Sequence, residues 1–432
     1  MEKLFKLKEH GTTVSRELAA GLATFLTMAY ILAVNPGMLG SIGNGMTPDA
    51  VFTATIIASV IAMLVMAFAA NLPIALAPGM GINAFFTYTV VFGMGYSWQI
   101  ALTAVFCEGL FFILLSFFNV REAIVKAIPA NLKRAVAVGI GLFITMIGLG
   151  NSGIMIRNES TFVSLGNLTS GAPLVALTGI IITTILFVRK VPGAILLGIL
   201  LTTLIGIPLG VTVIPENFSP LKLPAAPLLF QFDFSMVFSA KFFIVFFTFF
   251  FVDIFDTIGT LVGITTQAGL VNKDGTIPRA KQALLADAIG TATGAALGTS
   301  TVTSYIESAS GVAAGGRTGL TNISTAFLFL LSLFLSPLFL LVPSAATAPA
   351  LIMVGFFMMQ SVVNINFKDP TEGIPAFFTI FMMPFAYSIA QGIVFGVISY
   401  VVLKLVSGKF KDVNLVSIIL AVIFLLQIII PH

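Results

Sequence analysis

Charged residues, cysteine and histidine are all scarce in this 432-residue chain, and each shortage excludes a class of protein. Only 9% of the residues are charged, whereas soluble globular domains have about 25%, so a soluble globule is excluded. The one cysteine, Cys107, excludes an intrachain disulfide and a cysteine metal cluster. The two histidines, His10 and His432, lie near the chain ends, which excludes metal or histidine catalysis within the apolar segments.

Long apolar runs dominate what is present. Hydrophobic residues make up 58% of the chain, and its mean hydropathy of +1.09 is typical of a protein that crosses a membrane several times. The net charge of +4 comes from basic residues scattered among short loops, without the aromatic interleaving of a nucleic-acid surface. Lys3, Lys6 and Lys8 precede the first apolar run, which lacks a small-residue cleavage pattern, so we expect a first span and no cleaved signal peptide.

The apolar segments divide into two series of seven candidate membrane spans. The first series occupies residues 14–34, 50–70, 74–92, 98–118, 134–150, 173–189 and 192–209. The second series occupies residues 239–258, 281–297, 299–315, 320–341, 346–363, 374–389 and 391–407. A last apolar run at 413–430 has no counterpart in the first series, so it is either an extra span or a peripheral helix.

The positions of lysine and arginine test this count of spans. If the amino terminus is cytoplasmic, only Arg157, Lys222 and Lys241 of the 21 basic residues fall in outside loops, as the positive-inside rule requires. Because seven is odd, the second series starts on the opposite side of the membrane and lies inverted relative to the first. The sequence therefore predicts an all-α polytopic membrane protein with 14 transmembrane spans in two inverted seven-span repeats.

The third span of each series is interrupted by residues that disfavour a continuous helix. In the first, Pro73 and Pro78 predict an extended piece up to about Pro78, followed by a half helix from about Gly81. In the second, threonine and valine predict extended backbone over residues 299–304 and a half helix near Glu307. If the two extended pieces pair antiparallel, both half-helix N-termini face one cavity, as in transporter substrate sites. The alternative is that these residues merely kink packed helices.

Carboxylates within predicted spans are candidate functional residues because they are costly in hydrocarbon. Asp253 and Asp256 lie three residues apart on one face of span eight, and Glu307 lies in the second broken span. For Asp253, a structural role such as a hydrogen bond to a threonine is favoured over ligand binding. Asp287 in span nine is expected to have a structural or coupling role. Asn83, after the first break, either offers donor and acceptor groups to a ligand or caps its half helix.

Three motifs together resemble those of the AzgA-like purine permeases. They are APGMGINAFFTY, TFFFVDIFDTIGTLVG and STVTSYIESASGVAAGGRTGL, in this order, and the resemblance extends over residues 11–405. These permeases are the hypoxanthine, guanine and adenine branch of the nucleobase and cation symporter family, which also contains the uracil permeases. The resemblance implies import of purine nucleobases through the cytoplasmic membrane by a homodimer, and the distribution of basic residues favours an amino terminus in the cytoplasm.

The same resemblance implies a division into core and gate domains. Spans one to four and eight to eleven form the core, at residues 14–118 and 239–341. Spans five to seven and twelve to fourteen form the gate, at residues 119–238 and 342–407, and residues 408–432 are an apolar tail. We expect residues 120–133 to form a cytoplasmic amphipathic helix that links core to gate.

The resemblance also assigns substrate-binding residues by position. Asp256 in DTIGT and Glu307 in YIESASG match the family's two acids, and Asn83 matches the polar residue after the first break. Thr260 stands where the uracil branch has histidine, so the proton-coupling details of that branch do not transfer. The remaining candidate substrate-binding residues are Ser308, Tyr305, Phe85 and Phe255.

The chemistry of a neutral purine agrees with this assignment. A purine presents N–H donors beside ring-nitrogen acceptors on a flat apolar body, which suits carboxylates, an amide and aromatic walls. Low dielectric and neighbouring like charge favour the protonated form of a carboxylate, so Asp256, Glu307 or Asp287 is expected to carry the proton in a purine and proton symport. Coupling to sodium, and transport of xanthine or uracil, are the alternatives. No metal or cofactor is expected.

The sequence supports two other functional classes less well. A channel would need a continuous polar lining, whereas the ionisable residues are expected to concentrate on spans eight to ten. An intramembrane aspartyl enzyme would need two close aspartates as its catalytic pair, and the two matching broken spans disfavour it. The sequence therefore favours a secondary active transporter.

Overall fold

The computed structural model describes residues 2–118, 129–169, 171–271 and 277–429, and these residues are mostly helical. The helices are α1 (Glu2–Phe5), α2 (Val14–Met28), α3 (Ile31–Gly40), α4 (Pro48–Val65), α5 (Met80–Ala84), α6 (Trp98–Phe118), α7 (Ala130–Asn151), α8 (Gly171–Val188), α9 (Ala194–Gly206), α10 (Ala240–Gln267), α11 (Ala280–Leu297), α12 (Ser308–Ala313), α13 (Gly319–Ser332), α14 (Ser336–Leu340), α15 (Ser344–Met359), α16 (Pro370–Phe385), α17 (Ile389–Val406) and α18 (Leu415–Ile429). Most of the helix predicted at 120–133 lies outside the described residues.

The chain is a multi-pass membrane protein. Within the described ranges, nine helical stretches are long and apolar enough to cross a membrane, and two shorter apolar helices, Met80–Gly93 and Ala194–Gly206, accompany them. Each of the 14 predicted spans coincides with a helix, or with a strand followed by a short helix. The run predicted at 413–430 is also helical, as α18.

The two predicted breaks form a small antiparallel sheet in the interior. Strand β1 (Leu76–Pro78) pairs with β4 (Val302–Ser304), with Ala77 opposite Thr303. The strands are named in chain order, and β2 (Met155–Asn158) and β3 (Phe162–Leu165) form a separate hairpin between α7 and α8. Short helices follow both inner strands, α5 from Met80 and α12 from Ser308. The predicted strand pairing and half helices are therefore confirmed.

Buried polar side chains satisfy the backbone groups that the breaks release. The amide of Asn322 on α13 donates to the carbonyls of Leu72 at 3.0 Å and Ile74 at 2.9 Å. The hydroxyl of Thr291 on α11 donates to the backbone carbonyl of Val302 in β4 at 3.0 Å. An unpaired backbone group in an apolar interior costs several kcal/mol. These contacts therefore allow the non-helical backbone to lie inside the protein.

Small residues allow the helices around the sheet to approach one another closely. A Cβ added to Gly290 of α11 would lie 2.9 Å from Val302 Cγ1 in β4 and 2.7 Å from the Cβ of Ala62 in α4. A Cβ added to Gly109 of α6 would lie 2.6 Å from the backbone nitrogen of Ala292. Such close packing is the main stabilising device between helices in a membrane, where apolar burial alone does not favour association.

The first predicted span contains a break that the sequence analysis did not anticipate. Helix α2 ends at Met28 and α3 begins at Ile31, with Ala29 and Tyr30 in a turn between them. The turn contains neither glycine nor proline, so no local signal marks it. Its position directs Tyr30 towards the second broken segment.

Candidate functional site

A cavity, here called the central cavity, lies beside the paired strands. The two broken segments contribute Gly79, Met80, Gly81, Thr303, Ser304, Tyr305, Ile306 and Glu307 to its wall. The rest of the wall consists of Tyr30, Asp256 and Thr260 together with Val354, Phe357 and Met358 of α15. The structure thus brings Asp256, Thr260, Tyr305 and Glu307, four of the predicted site residues, to one cavity.

Glu307 lies directly before α12, and Tyr30 holds its side chain. The Tyr30 hydroxyl donates to Oε1 of Glu307 over 2.6 Å, the short distance of a charge-assisted bond. The hydroxyl of Thr27 donates to the backbone carbonyl of Glu307 at 3.3 Å. The position of this carboxylate therefore depends on the break in the first span.

Asp256 projects from α10 towards strand β4. Its Oδ2 accepts a hydrogen bond of 3.4 Å from the hydroxyl of Thr303, near the long limit for such a bond. Thr260, one helical turn later, lines the same cavity. A carboxylate with one long hydrogen bond keeps acceptor capacity for a ligand.

Three other predicted residues do not line the central cavity, and two of them, Asn83 and Ser308, connect the two broken segments. Asn83 is fully buried, and its amide oxygen accepts a very short hydrogen bond from the hydroxyl of Ser300. The hydroxyl of Ser308 accepts from the backbone N–H of Ala75 at 2.9 Å. Phe85 is fully buried edge-on against Phe249, with ring centroids 4.8 Å apart. Contact between these three side chains and a ligand stays a prediction.

Of the aromatic candidates Tyr305 and Phe255, the structure describes the side chain of Tyr305 alone. Tyr305 lines the central cavity, and its hydroxyl donates to the carbonyl of Pro78 at 2.6 Å. This bond joins the end of β4 to the end of β1 and fixes the ring at the cavity wall. The side chain of Phe255 lies outside the described part of the structure.

The remaining aspartates of this region form a buried cluster next to the cavity. Thr257 lies within hydrogen-bonding distance of both carboxylates, 3.3 Å from Asp253 Oδ1 and 2.7 Å from Asp287 Oδ1. All three side chains are fully buried. The predicted threonine contact of Asp253 is therefore present, and Asp287 is coupled to the same hydroxyl.

The prediction that ionisable residues cluster on spans eight to ten is wrong, because two glutamates are buried in other spans. Glu17 in α2 is fully buried and accepts from three backbone N–H groups, those of Arg317, Thr318 and Thr321. Glu108 in α6 is fully buried and accepts from the hydroxyl of Thr301 at 2.8 Å. Both were visible in the sequence as carboxylates in apolar runs. They are tolerated because protein donors replace water around them.

Two larger cavities extend from the central cavity. The first, of about 1650 Å³, includes Glu307 and Lys190 in its lining. The second, of about 1390 Å³, includes Asp256, Lys133 and Arg134. In the described ranges, no group of three or more histidine, cysteine or acidic residues is arranged to hold a metal ion. The site therefore presents acids, hydroxyls and apolar walls beside two larger cavities.

Polar and aromatic contacts lie along the other end of the first broken span. The amide of Asn151, the last residue of α7, donates to the hydroxyl of Tyr88 at 2.6 Å. The ring of Tyr387 packs edge-on against Tyr88, with centroids 6.3 Å apart, and against Phe143 at 5.5 Å. These contacts connect the first broken span with α7 and with the turn between α16 and α17.

Comparison with known proteins gives a consistent family. Residues 15–395 match the model of the family described as the Permease family. The guanine/hypoxanthine permease PbuG of Bacillus subtilis is 47% identical to this chain, over 99% of both proteins. The adenine permease AdeP of Escherichia coli is 45% identical, over 99% of this chain and 96% of AdeP. A putative permease of Methanocaldococcus jannaschii is 49% identical, over 99% of this chain and 98% of the relative. These relatives are named as permeases and not as enzymes.

Solved structures show the same fold at low sequence identity. The transmembrane domain of the cyanobacterial bicarbonate transporter BicA superimposes with a TM-score of 0.67 and 16% identity, covering 88% of this chain and 97% of that one. The anion transporter SLC26A9 gives a TM-score of 0.62 at 12% identity, covering 91% of this chain and 66% of that one. At these identities the likeness concerns the fold alone.

Proposed function

Since this chain belongs to the Permease family, in its AzgA-like purine permease branch, we propose that it transports purine nucleobases across the cytoplasmic membrane. The observation that carries the proposal is the central cavity, where Asp256 and Glu307 lie among hydroxyls and apolar side chains. Relatives named as adenine and as guanine/hypoxanthine permeases support adenine, guanine or hypoxanthine over xanthine or uracil.

The proposed ligand chemistry matches the groups in the wall. The carboxylates accept from purine N–H groups, and Thr260 offers a hydroxyl to the ring nitrogens. Tyr305 and Phe357 provide flat walls for the rings. Each charge-assisted hydrogen bond contributes about 1.5–3 kcal/mol net, so two carboxylates and apolar contact reach micromolar affinity, about 8 kcal/mol, after ordering costs.

We further propose the arrangement of 14 spans in two inverted repeats, with core and gate domains. The pairing of β1 with β4, which joins matching elements of the two halves, supports it. The central cavity then lies between core elements and α15 of the gate. Lys133, Arg134 and Lys190, all predicted to be cytoplasmic, line the two larger cavities, which supports a state open to the cytoplasm. The Tyr88 and Asn151 contact would close the outside.

Proton symport is the proposed mode of energy coupling. Asp256 and Glu307 share one low-dielectric cavity, so protonation of either affects the other. We assign Glu307 as the principal reader of the base and Asp256 as the acid that links binding to protonation. Asp287, which reaches Asp253 through Thr257, is a second coupling candidate. Sodium coupling is the alternative, and a homodimer held through the gate domain completes the proposal.

Uptake of radiolabelled hypoxanthine into proteoliposomes, with and without an inward proton gradient, tests the function. The parent protein should accumulate the base only with the gradient. Glu307→Gln keeps the side-chain volume but removes the charge, so uptake should fall at least about tenfold, the equivalent of 1.4 kcal/mol. Glu159→Gln, the same change in an exposed loop, is the matched control and should leave uptake unchanged. Parental liposomes that take up no purine above empty liposomes would remove the proposal.

A further inference from the structure

We propose that Tyr30 is a positioning residue that sets which purines the site prefers, an inference that rests on the purine transport proposed above. Tyr30 is 1% exposed, yet it lines the central cavity together with Glu307. Its hydroxyl donates to Oε1 of Glu307 at 2.6 Å. The residue therefore controls one of the two acceptor oxygens of a candidate base-reading carboxylate.

The break in the first span keeps this pair in a fixed arrangement. The N–H of Ala29 bonds the carbonyl of Phe25 at 2.8 Å at the end of α2, and the N–H of Val34 bonds the carbonyl of Tyr30 at 3.0 Å at the start of α3. Thr27 binds the backbone carbonyl of Glu307 at 3.3 Å. The end of α2 thus contacts the main chain of Glu307 and the turn after it contacts the side chain, so the phenol and the carboxylate are held together without a ligand.

The bond from Tyr30 affects how well the Glu307 carboxylate accepts a second N–H donor from one edge of a base. A free carboxylate accepts two parallel N–H groups with its two oxygens. Tyr30 uses one lone-pair site of Oε1, so a ligand donor to Oε1 shares that oxygen with the phenol, whereas a donor to Oε2 does not. Hypoxanthine has one ring N–H beside a carbonyl, whereas guanine has a ring N–H beside an exocyclic amino group. Guanine therefore makes its second bond to an oxygen that Tyr30 already engages, which weakens that bond, and hypoxanthine needs no second bond.

Equilibrium binding of radiolabelled guanine and hypoxanthine to purified Tyr30→Phe protein tests this. The substitution keeps the ring and removes the hydroxyl. The second charge-assisted bond of guanine becomes stronger, while bound hypoxanthine leaves Oε1 unpaired, so the ratio of the two dissociation constants should shift about tenfold towards guanine. A residue needed only for packing would weaken the binding of both bases equally and leave the ratio unchanged.

Tyr400→Phe is the matched control. Tyr400 is 4% exposed, and its hydroxyl donates to the backbone carbonyl of Asp412 at 2.9 Å, away from the central cavity. Its removal should not move the ratio. Tyr30→Leu, a second side chain without a hydroxyl, should shift the ratio in the same direction as Tyr30→Phe. An unchanged ratio in both Tyr30 variants overturns the inference and leaves the proposed function intact, whereas a parent protein that binds neither base overturns both.

Discussion

At the scale of single residues, the acids in this chain differ in how completely the protein satisfies them. Glu17 accepts three backbone N–H groups and the hydroxyl of Thr321 at 2.6 Å, so it has little capacity left for a ligand. Among the described residues, Asp256 accepts one bond of 3.4 Å, and it faces the central cavity. A carboxylate in an apolar interior is costly unless donors surround it, which supports the proposed role of the half-buried Asp256 in binding a ligand or a proton.

This difference leads to a prediction for Asp256→Asn in proteoliposomes. If Asp256 carries the coupled proton, the variant should lose accumulation driven by a proton gradient but keep exchange of internal for external purine, because exchange needs no net proton movement. Counterflow and pH-dependent uptake measure the two activities separately. Asp233→Asn, a loop aspartate that binds the N–H of Ser235, is the control. Accumulation at the parental level would remove Asp256 from the coupling mechanism.

At the scale of elements, the broken spans were predictable because their signals are local. Pro78 cannot donate within a helix, and the β-branched residues before Ser304 favour extended backbone, so the strands were located within a few residues. The break before Ile31 was not predictable, because Ala29 and Tyr30 carry no local turn signal and the contact of Tyr30 with Glu307 joins residues 277 positions apart. The orientations of Asn83 and Ser308 also depend on tertiary partners, so sequence could name these residues but not their contacts.

The close approach of the two broken segments gives a prediction for Gly79→Ala. A Cβ at Gly79 would lie 2.8 Å from the hydroxyl oxygen of Thr303 and 3.6 Å from Oδ2 of Asp256. Inserting a methyl group into such packing costs about 1–3 kcal/mol, so purine affinity should fall by about five- to a hundredfold. Gly263→Ala is the control, since a Cβ there meets nothing within 4 Å. Equal affinity in the two variants would contradict a site at these strands.

At the scale of the whole molecule, the proposed transport depends on which loops face the cytoplasm. Lys190 lines the larger cavity that reaches Glu307, and Arg157 lies in β2 of the hairpin between α7 and α8. Basic residues favour the cytoplasmic side, and α8 separates these two positions along the chain. An apolar helix of 18 residues suffices for this separation if it crosses the membrane.

Single cysteines at these positions, in a Cys107→Ser background, test that arrangement. Lys190→Cys should react with a membrane-impermeant maleimide only when the cytoplasmic face is accessible, and Arg157→Cys only from the outside. Lys222→Cys, at a second predicted outside position, should be labelled from the same side as Arg157→Cys. This substitution also removes the ion pair of Lys222 with Asp49. If Lys190→Cys and Arg157→Cys were labelled from the same side, α8 would not cross the membrane. The first series would then lose its odd number of crossings, and the two repeats could not be inverted.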